Sequence, residues 1–549
     1  MKIKKSDFYS PLGIVLILGN LVILNLVSTK FFGRLDLTEN KLYTLSDVTK
    51  QILRDLEEPL TIKAYFTRDL PAPYNNTSQF VQDQLAEMKA YSRGNFRYEL
   101  VDPADQEKLK AEADKFRLEP IQVNEMKKDK VEFKLAYLGM VLLYEDKQEV
   151  IPTIQSLDNL EYEILSKIRR VTSSKIPTIG FLEGHGETPL RADPSQPGSE
   201  SMGGLDRELR KLYDIKPVNL EARSEVPEGI DLLCIVGPKE DIPERDRFVI
   251  DQFLMRGGRI LLLANKVKTE LQQMSATKGS LRIDNWTQQY GFKINDDLVL
   301  DRACPTLPFQ TMSQYGRQIT MVNYPFFPEV QTFNRTNSAM KILRQVRLYF
   351  PSSIDTSVAP GYNSITVTPL MWSSDKATTM EGTYDIDPFN MRGKFTFDKG
   401  HIPLAALISG NFQSYYTNKE IPQDAEGNPI STGPILNSSP DTRIVVIGDA
   451  NMINDLYQVP GLDNLTAVLN IIDWLAQDEA LIGIRSRSVV SRPLGEVSDG
   501  ARQVVKYSNM LIPPLIVIGF GLVRWRMRKS AAKAMMRANP SAGSGGDAK

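Results

Sequence analysis

The sequence predicts an α/β protein whose body lies between two apolar segments, one near each end of the chain. Three observations predict this: an uncharged run at residues 8–29, a second at 507–523, and a regular alternation of strand-like and helix-like segments between them. The 549 residues are too many for one core, so we expect several domains. Lys and Arg number 66 against 67 Asp and Glu, and this balance gives no reason to expect a nucleic-acid partner.

The first apolar segment predicts a membrane helix. Residues 8–29 are uncharged, and a helix of this length spans about 33 Å, enough to cross a bilayer. Lysines precede the segment in residues 1–7 and no small-residue cleavage site follows, so we interpret it as an uncleaved signal anchor. Asn20 and Asn25 lie within it and are candidate contacts with a neighbouring membrane helix. For Asn25, a place near the wet end of the helix is an equal alternative.

The second apolar segment, residues 507–523, is short but sufficient to cross a bilayer, and Pro513–Pro514 predict a kink or a late helix start. A juxtamembrane segment, 491–506, precedes it, and a basic, flexible tail, 524–549, follows it. The positive-inside rule then places both termini in the cytoplasm and the body on the opposite side. In a bacterium this is a two-span inner-membrane protein with a periplasmic body.

Residues 30–172 predict the first domain of the body. After a helix with Ser46 as its N-cap, strands such as LTIKAYFT and FRYELVDP alternate with helices in the order β-α-β-α-β-β-α. That order matches a thioredoxin-like fold. The loop after the first strand, RDLPAPYNN, lacks Cys-x-x-Cys, so we expect no redox chemistry. The two cysteines, Cys234 and Cys304, are too few for a disulfide framework or a zinc site, and Cys234 is expected to be buried.

Residues 173–490 predict a second α/β domain with a parallel sheet covered by helices on both faces. Its strands are nearly continuous aliphatic runs, namely KIPTIGFLEG, IDLLCIVGP, RILLLANK and TRIVVIGDA. Residues 302–440 interrupt this rhythm with more Pro, Asn, Ser, Thr and aromatic residues. We interpret that range as a β-rich insertion, whose fold the sequence does not define.

The motif GFLEGHGE, residues 180–187, contains one of the two histidines in the chain and ends a predicted parallel strand. Ligands of such sheets bind beyond the carboxyl ends of the strands. The candidate ligand or partner rim therefore comprises Glu183, His185, Glu187, Asp449 and Asn451. An imidazole beside carboxylates can serve as a general base, which would suit a periplasmic hydrolase or amidase-like enzyme. The favoured interpretation is a strand-ending turn, because the two flanking glycines permit positive φ.

Several catalytic motifs are absent from the sequence. There is no GxxxxGK[ST], HExxH or GxSxG, so the chain has no P-loop for ATP hydrolysis and no familiar hydrolase signature. Two histidines are too few to predict a His-rich metal site. We therefore expect no catalytic residues, no metal and no cofactor.

Five stretches together resemble the GldG family of gliding-motility-associated auxiliary subunits of ABC transporters: RLDLTENKLYTLS, VDP at 101–103, GFLEGHGE, VVIGDANMIND and NIIDWLAQDEALIGIRSRS. The resemblance implies that residues 173–490 have a flavodoxin/amidotransferase-like (GIFT-like) fold. It also implies a GldF-like permease partner, a GldA-like cytoplasmic ATPase partner, and periplasmic envelope or motility components as further partners. It supplies no catalytic residues. The expected function is a non-catalytic, membrane-anchored auxiliary subunit for gliding motility or envelope export.

Overall fold

The computed structural model describes residues 44–476, with short internal gaps, and residues 499–538. The gaps are residues 69, 72–73, 105, 128–129, 155–156, 158–159, 174, 197, 222, 314–315, 358–363, 391–393, 424–426, 428 and 431–433. The chain forms two compact units, Met1–Val489 and Val490–Lys549. The predicted cytoplasmic residues 1–7 and the first predicted membrane segment, with Asn20 and Asn25, lie outside the described residues.

The part of the body before residue 173 is built around a four-stranded sheet. Its elements are α1 (Asp47–Arg54), β1 (Leu60–Phe66), α2 (Thr77–Tyr91), β2 (Phe96–Val101), α3 (Glu107–Lys115), β3 (Ile121–Lys127), β4 (Lys130–Ala136), β5 (Leu138–Tyr144), β6 (Lys147–Ile151) and α4 (Leu160–Thr172). The strand order is β2-β1-β5-β6, with β1 and β2 parallel and the other pairs antiparallel. As predicted, Ser46 caps α1, where its Oγ accepts a hydrogen bond from the Thr49 N–H at 3.0 Å.

Strand β3 differs from its predicted place in the alternation. It pairs with β4 from Ile121↔Ala136 to Lys127↔Lys130 and forms a separate two-stranded hairpin. The side chains of Phe133 and Leu135 on this hairpin are exposed. The four-stranded sheet is therefore completed by β5 and β6, because the aliphatic run LGMVLLY of β5 is the one buried against β1.

The rest of the body follows the predicted alternation of strands and helices and then departs from it. Its elements are β7 (Thr178–Glu183), α5 (Gly203–Leu209), β8 (Asp214–Asn219), β9 (Ile230–Val236), α6 (Glu244–Met255), β10 (Arg259–Leu263), β11 (Val267–Glu270), β12 (Ser275–Lys278), α7 (Asp284–Gln289), β13 (Lys293–Ile294), β14 (Asp297–Asp301), β15 (Thr306–Ser313), β16 (Gly316–Asn323), β17 (Glu329–Val330), β18 (Thr332–Phe333), β19 (Val346–Arg347), β20 (Ile354–Asp355), β21 (Ile365–Trp372), β22 (Ala377–Glu381), β23 (Pro403–Gln413), β24 (Ser438–Ile447) and α8 (Asn464–Leu475).

The main sheet has eight strands in the order β18-β21-β23-β24-β10-β9-β7-β8. The strands from β24 to β8 are parallel, as the aliphatic runs predict. Strands β18, β21 and β23 continue the sheet in antiparallel pairing. All three lie within residues 302–440, so part of the predicted insertion extends the same sheet.

Alternation along the central strands gives the main sheet two cores, one on each face. On β10 and β24, Leu261, Leu263, Val445 and Ile447 belong to one core, which also includes α8 and the four-stranded sheet. Ile260, Leu262, Ile444 and Val446 belong to the other core, which includes α6 and α7. Because successive side chains of a strand point to opposite faces, strands with no polar positions require a sheet covered on both sides. Cys234 is buried as expected.

The second compact unit contains helix α9, Asp499–Ala538. Its segment Lys506–Ser530 is the one helix among the described residues that is long and apolar enough to cross a membrane. The helix begins 14 residues before Pro513, so of the two effects expected of Pro513–Pro514, a kink or a late helix start, the late start does not occur. Proline is tolerated within helices of this kind when the surroundings supply other partners for the freed backbone groups.

Candidate functional site at the carboxyl edge of the main sheet

The turn GFLEGHGE has the backbone that its glycines predict. Strand β7 ends at Glu183, and Gly184 and Gly186 adopt φ of 122° and 72°. These left-handed values favour glycine, since a side chain there strains the backbone. The turn brings His185 back into the protein, where only 5% of its surface is exposed.

Both ring nitrogens of His185 face carboxylates. Nδ1 lies 3.0 Å from Glu187 Oε1, and Nε2 lies 2.9 Å from Asp246 Oδ2 on helix α6. Hydrogen bonding to Asp246, and then to Glu187, raises the pKa of His185 to about 9, although burial acts in the opposite direction. The ring therefore carries both protons at neutral pH. An imidazolium that donates from both nitrogens has no lone pair with which to act as a general base.

The two carboxylates are themselves held in place. Burial acts to raise the pKa of Glu187, but hydrogen bonds from the His185 side chain and backbone outweigh it and lower that pKa. The His185 N–H donates to Glu187 Oε2 at 2.7 Å. Asp246 Oδ1 accepts from Arg245 Nη1 at 2.5 Å, and the same guanidinium also donates to the Leu220 carbonyl. The four charges sum to zero, which is how a buried ionic cluster is tolerated.

This cluster also joins neighbouring loops of the sheet. The His185 carbonyl accepts from the N–H groups of Lys239 and Glu240 in the loop after β9, both at 2.9 Å. Asp246 lies in the first turn of α6, and Leu220 follows β8. The turn after β7 is thus tied to the segments that follow its two neighbours in the sheet.

Asp449 and Asn451 lie in a second, separate cluster after β24. Asp449 is fully buried and accepts from the Tyr349 N–H at 2.7 Å, the Asn451 N–H at 2.8 Å and Asn265 Nδ2 at 3.1 Å. Burial raises its pKa to about 7, against the effect of these donors. Asn265 Oδ1 in turn accepts from the Ala450 N–H at 2.8 Å. These bonds fix the loops after β10 and β24 to each other.

The five predicted rim residues therefore lie at one edge of the sheet but in three different situations. Glu183 is exposed, His185 and Glu187 bond to each other, and Asp449 and Asn451 bond within their own cluster. Between the clusters lies Gly237, after β9. A methyl group there would be 2.9 Å from Thr188 Oγ1 and 3.1 Å from Ala450 Cβ, so the loops after β7, β9 and β24 pack together at this point. A ligand-binding role for the rim remains a prediction.

Sequence reasoning missed Asp455, whose carboxylate accepts hydrogen bonds at another part of the same edge. Its carboxylate accepts from Ser201 Oγ and the Gly203 N–H, each at 2.7 Å, and from the Gly204 N–H at 3.1 Å. The Gly203 and Gly204 N–H groups are free donors at the start of α5, a position where parallel α/β proteins often bind a ligand phosphate. Here the protein's own carboxylate occupies them. Sequence reasoning also missed Asp246. Asp246 bonds to His185 and Asp455 bonds to Gly203, and in both cases the two residues are far apart in the sequence.

The described residues contain no group of three or more His, Cys, Asp or Glu side chains that could hold a metal ion. His185, Glu187, Asp246 and Arg245 form a buried cluster of ion pairs, called the ionic clasp below. It supplies neither a nucleophile nor a free base. The fold and the edge together define a mixed α/β protein whose carboxyl edge is held by its own side chains and which carries a candidate membrane helix.

Residues 176–471, more than half of the chain, match the family described as an ABC-type uncharacterized transport system. The chain belongs to this family, and its role is that of an accessory component of an ABC transport system. Residues 39–143 match a domain of unknown function.

The chain is similar to a relative over nearly its full length and to a solved structure. An uncharacterized protein of Borreliella burgdorferi (strain ATCC 35210 / DSM 4680 / CIP 102532 / B31) is 23% identical over 522 residues, covering 91% of this chain and 94% of that protein. The mmIFT52 N-terminal domain is 15% identical with a TM-score of 0.32, covering 54% of this chain and 96% of that domain.

Proposed function

We propose that this chain is a non-catalytic, membrane-anchored auxiliary subunit that docks a large body on the permease of an ABC transporter. The single observation that carries the proposal is the family match over residues 176–471. The sequence has no P-loop, so ATP hydrolysis belongs to a separate ATPase subunit. The ring nitrogens of His185 are both engaged, which favours a binding or coupling role over the hydrolase alternative.

The finer parts of the proposal concern membrane topology and domain type. We place α9 across the inner membrane, with residues 524–549 in the cytoplasm and the body in the periplasm, because basic residues follow the apolar segment. A second span at residues 8–29 completes this topology. We assign a redox-inactive thioredoxin-like domain to 30–172 and a GIFT-like domain to 173–490. The order β2-β1-β5-β6, with one parallel pair, supports the first assignment.

The nature of the partners rests on the resemblance to the GldG family. It suggests a GldF-like permease, a GldA-like ATPase, and a task in gliding motility or envelope export. On this view the carboxyl edge of the main sheet, with Glu183 exposed on it, is a surface for a periplasmic partner. The clasp around His185 would hold that surface in one shape.

The decisive experiment is purification of the full chain from its native membranes under mild detergent extraction. We expect a permease and a P-loop ATPase to co-purify in fixed proportion. Recovery of the chain as a lone monomer, with the permease and ATPase found together elsewhere, would overturn the proposal. A variant truncated after residue 498 provides the control, since removal of α9 should reduce recovery of the permease.

A further inference from the structure

At the amino edge of the main sheet, opposite the edge described above, a cleft of about 490 Å³ opens beside the start of β9 and β10. Residues 225–231, which lead into β9, form one wall. The end of α6 with Gly257, Gly258 and Arg259 forms the other. Most of its charged side chains are neutralised locally. Arg256 pairs with Glu225 at 3.0 Å, and Asp231 accepts from Lys175 Nζ at 2.9 Å and from the Thr178 N–H at 3.0 Å.

Arg259 is different because it stands beside a second arginine. Arg259 and Arg443 each directly precede the register pair Ile260↔Ile444 of the parallel strands β10 and β24. Residues at matching positions of neighbouring strands point to the same face, so the two guanidinium groups are neighbours. Both side chains are half-buried. Like charges placed side by side in this way are destabilising.

Neither arginine has an anionic partner within the part of the chain that the structure describes. Arg443 lies 4.3 Å above the ring of Trp474, a cation–π contact that does not neutralise its charge. Burial, followed by repulsion from Arg443, lowers the pKa of Arg259. The carboxylate that acts on Arg259, that of Asp231, already accepts hydrogen bonds from Lys175 and the Thr178 N–H. The exposed Glu228 on the loop wall is a charge that an incoming anion must avoid.

We propose that Arg259, which borders this cleft, and its neighbour Arg443, which lies over Trp474 and outside the cleft lining, form a binding site for a phosphate group. Two adjacent guanidinium groups present several N–H donors in the planar arrangement that suits phosphate oxygens, and a bound dianion removes their mutual repulsion. The phosphate is carried by a small soluble ligand or by a lipid headgroup, since both offer the same oxygens. The site is independent of the proposed transporter role.

The test uses the full chain in a neutral detergent at constant ionic strength. The thermal unfolding midpoint is followed with inorganic phosphate, with short-chain phosphatidylglycerol and with short-chain phosphatidylcholine. We expect inorganic phosphate or phosphatidylglycerol to raise the midpoint, while equal ionic strength of chloride does not. A response to phosphate identifies a soluble source, and a response to phosphatidylglycerol alone identifies a headgroup.

Variants separate binding from stability. We expect Arg259→Gln and Arg443→Gln each to weaken the apparent affinity for the responding probe by about 10-fold to 100-fold, the usual loss for hydrogen bonds to a charged group. Without the probe, each variant should unfold at the same or a higher temperature, because the repulsion is gone. Arg302→Gln is the matched control: Arg302 also stacks on an aromatic ring, that of Phe397, but it follows β14, which is not a strand of the main sheet, and its removal should leave the probe response unchanged.

Three results would overturn the site. The first is the absence of any midpoint shift with inorganic phosphate or phosphatidylglycerol. The second is an equal shift in the wild type and in Arg259→Gln, and the third is an equal response to phosphatidylcholine that persists in that variant. If Arg259→Gln fails to fold, Arg259→Lys keeps the charge but loses the planar donor pair, and it should weaken phosphate binding without abolishing it.

Discussion

The charge on His185 is decided by two carboxylates that approach its ring from opposite sides. Removing the ring leaves the carboxylates of Glu187 and Asp246 buried without the cation between them, and Arg245, which pairs with Asp246, is the remaining cation. Breaking a buried ion pair from one side typically costs about 3–5 kcal/mol. We therefore expect His185→Ala to lower the free energy of unfolding by about that amount, measured by denaturant titration in detergent. His401→Ala, which removes the exposed histidine, is the control and should change stability little.

The pH dependence of stability follows from the same residue. The pKa of His185 is about 9 in the folded protein and about 6.5 when unfolded, so the folded state holds its proton more tightly. The contribution of His185 to the free energy of unfolding is therefore complete below about pH 6.5 and is lost as the pH rises through about 9. The stability difference between the wild type and His185→Ala should therefore shrink from pH 7 to pH 10. A difference that grows over that interval would contradict the ionic clasp.

Asp455 acts on the first turn of helix α5. Two of its three hydrogen bonds satisfy the Gly203 and Gly204 N–H groups, which have no partner within the helix. Loss of a capping side chain costs about 0.5–2 kcal/mol, so Asp455→Ala should fall in that range. The exposed Asp375 provides the comparison, and Asp375→Ala should cost less. Equal losses in the two variants would show that the contacts of Asp455 do not stabilise the fold.

At the scale of elements, the end of β24 is a crowded point of the main sheet. The Gly448 N–H donates to the Leu404 carbonyl at 3.0 Å, and its own carbonyl accepts from the Ser352 N–H at 2.8 Å. A methyl group at Gly448 would overlap the Ser352 carbonyl oxygen. The close approach lets Asp449 reach the backbone of Tyr349.

Gly448→Ala should therefore force the backbone after β24 away from the backbone at Ser352. We expect a loss of about 3 kcal/mol in the free energy of unfolding, at the upper end of the usual cost of overpacking. Gly94→Ala is the matched variant, because Gly94 has no atom within 4 Å of a new methyl group but a positive φ of 101°. It should lose only about 1 kcal/mol, the cost of the backbone strain. A smaller loss for Gly448→Ala than for Gly94→Ala would refute the crowding.

At the scale of the whole molecule, the proposed role predicts a coupling between the body and the ATPase. Removing the chain from a complex of permease and ATPase should change the rate of ATP hydrolysis, measured in lipid nanodiscs. Unchanged turnover would instead point to a passive scaffold. His185→Ala protein that still folds and assembles should support transport or motility. Loss of function in such a variant would revive the hydrolase alternative.

Much of the fold follows from local patterns. Strands β7, β9, β10 and β24 are parallel, and their central residues are apolar on both faces, so these residues are buried on both sides of the sheet. The Ser46 cap and the glycine turn around His185 are likewise local features. The antiparallel extension of the sheet within residues 302–440 was not predictable in detail. Its pairings, such as β23 with β24, depend on which aliphatic surfaces meet after the chain has folded.

The sequence by itself determined the balance of charge, the absence of a P-loop, the apolar segments and the parallel core, because composition and periodicity act over a few residues. Only the tertiary structure decided the chemistry of the rare histidine. Asp246 is 61 residues from His185, and its approach turns a possible base into a buried cation. In the same way, Arg259 and Arg443 become one site only when β10 and β24 lie side by side, since electrostatic interactions depend on distance in space and not along the chain.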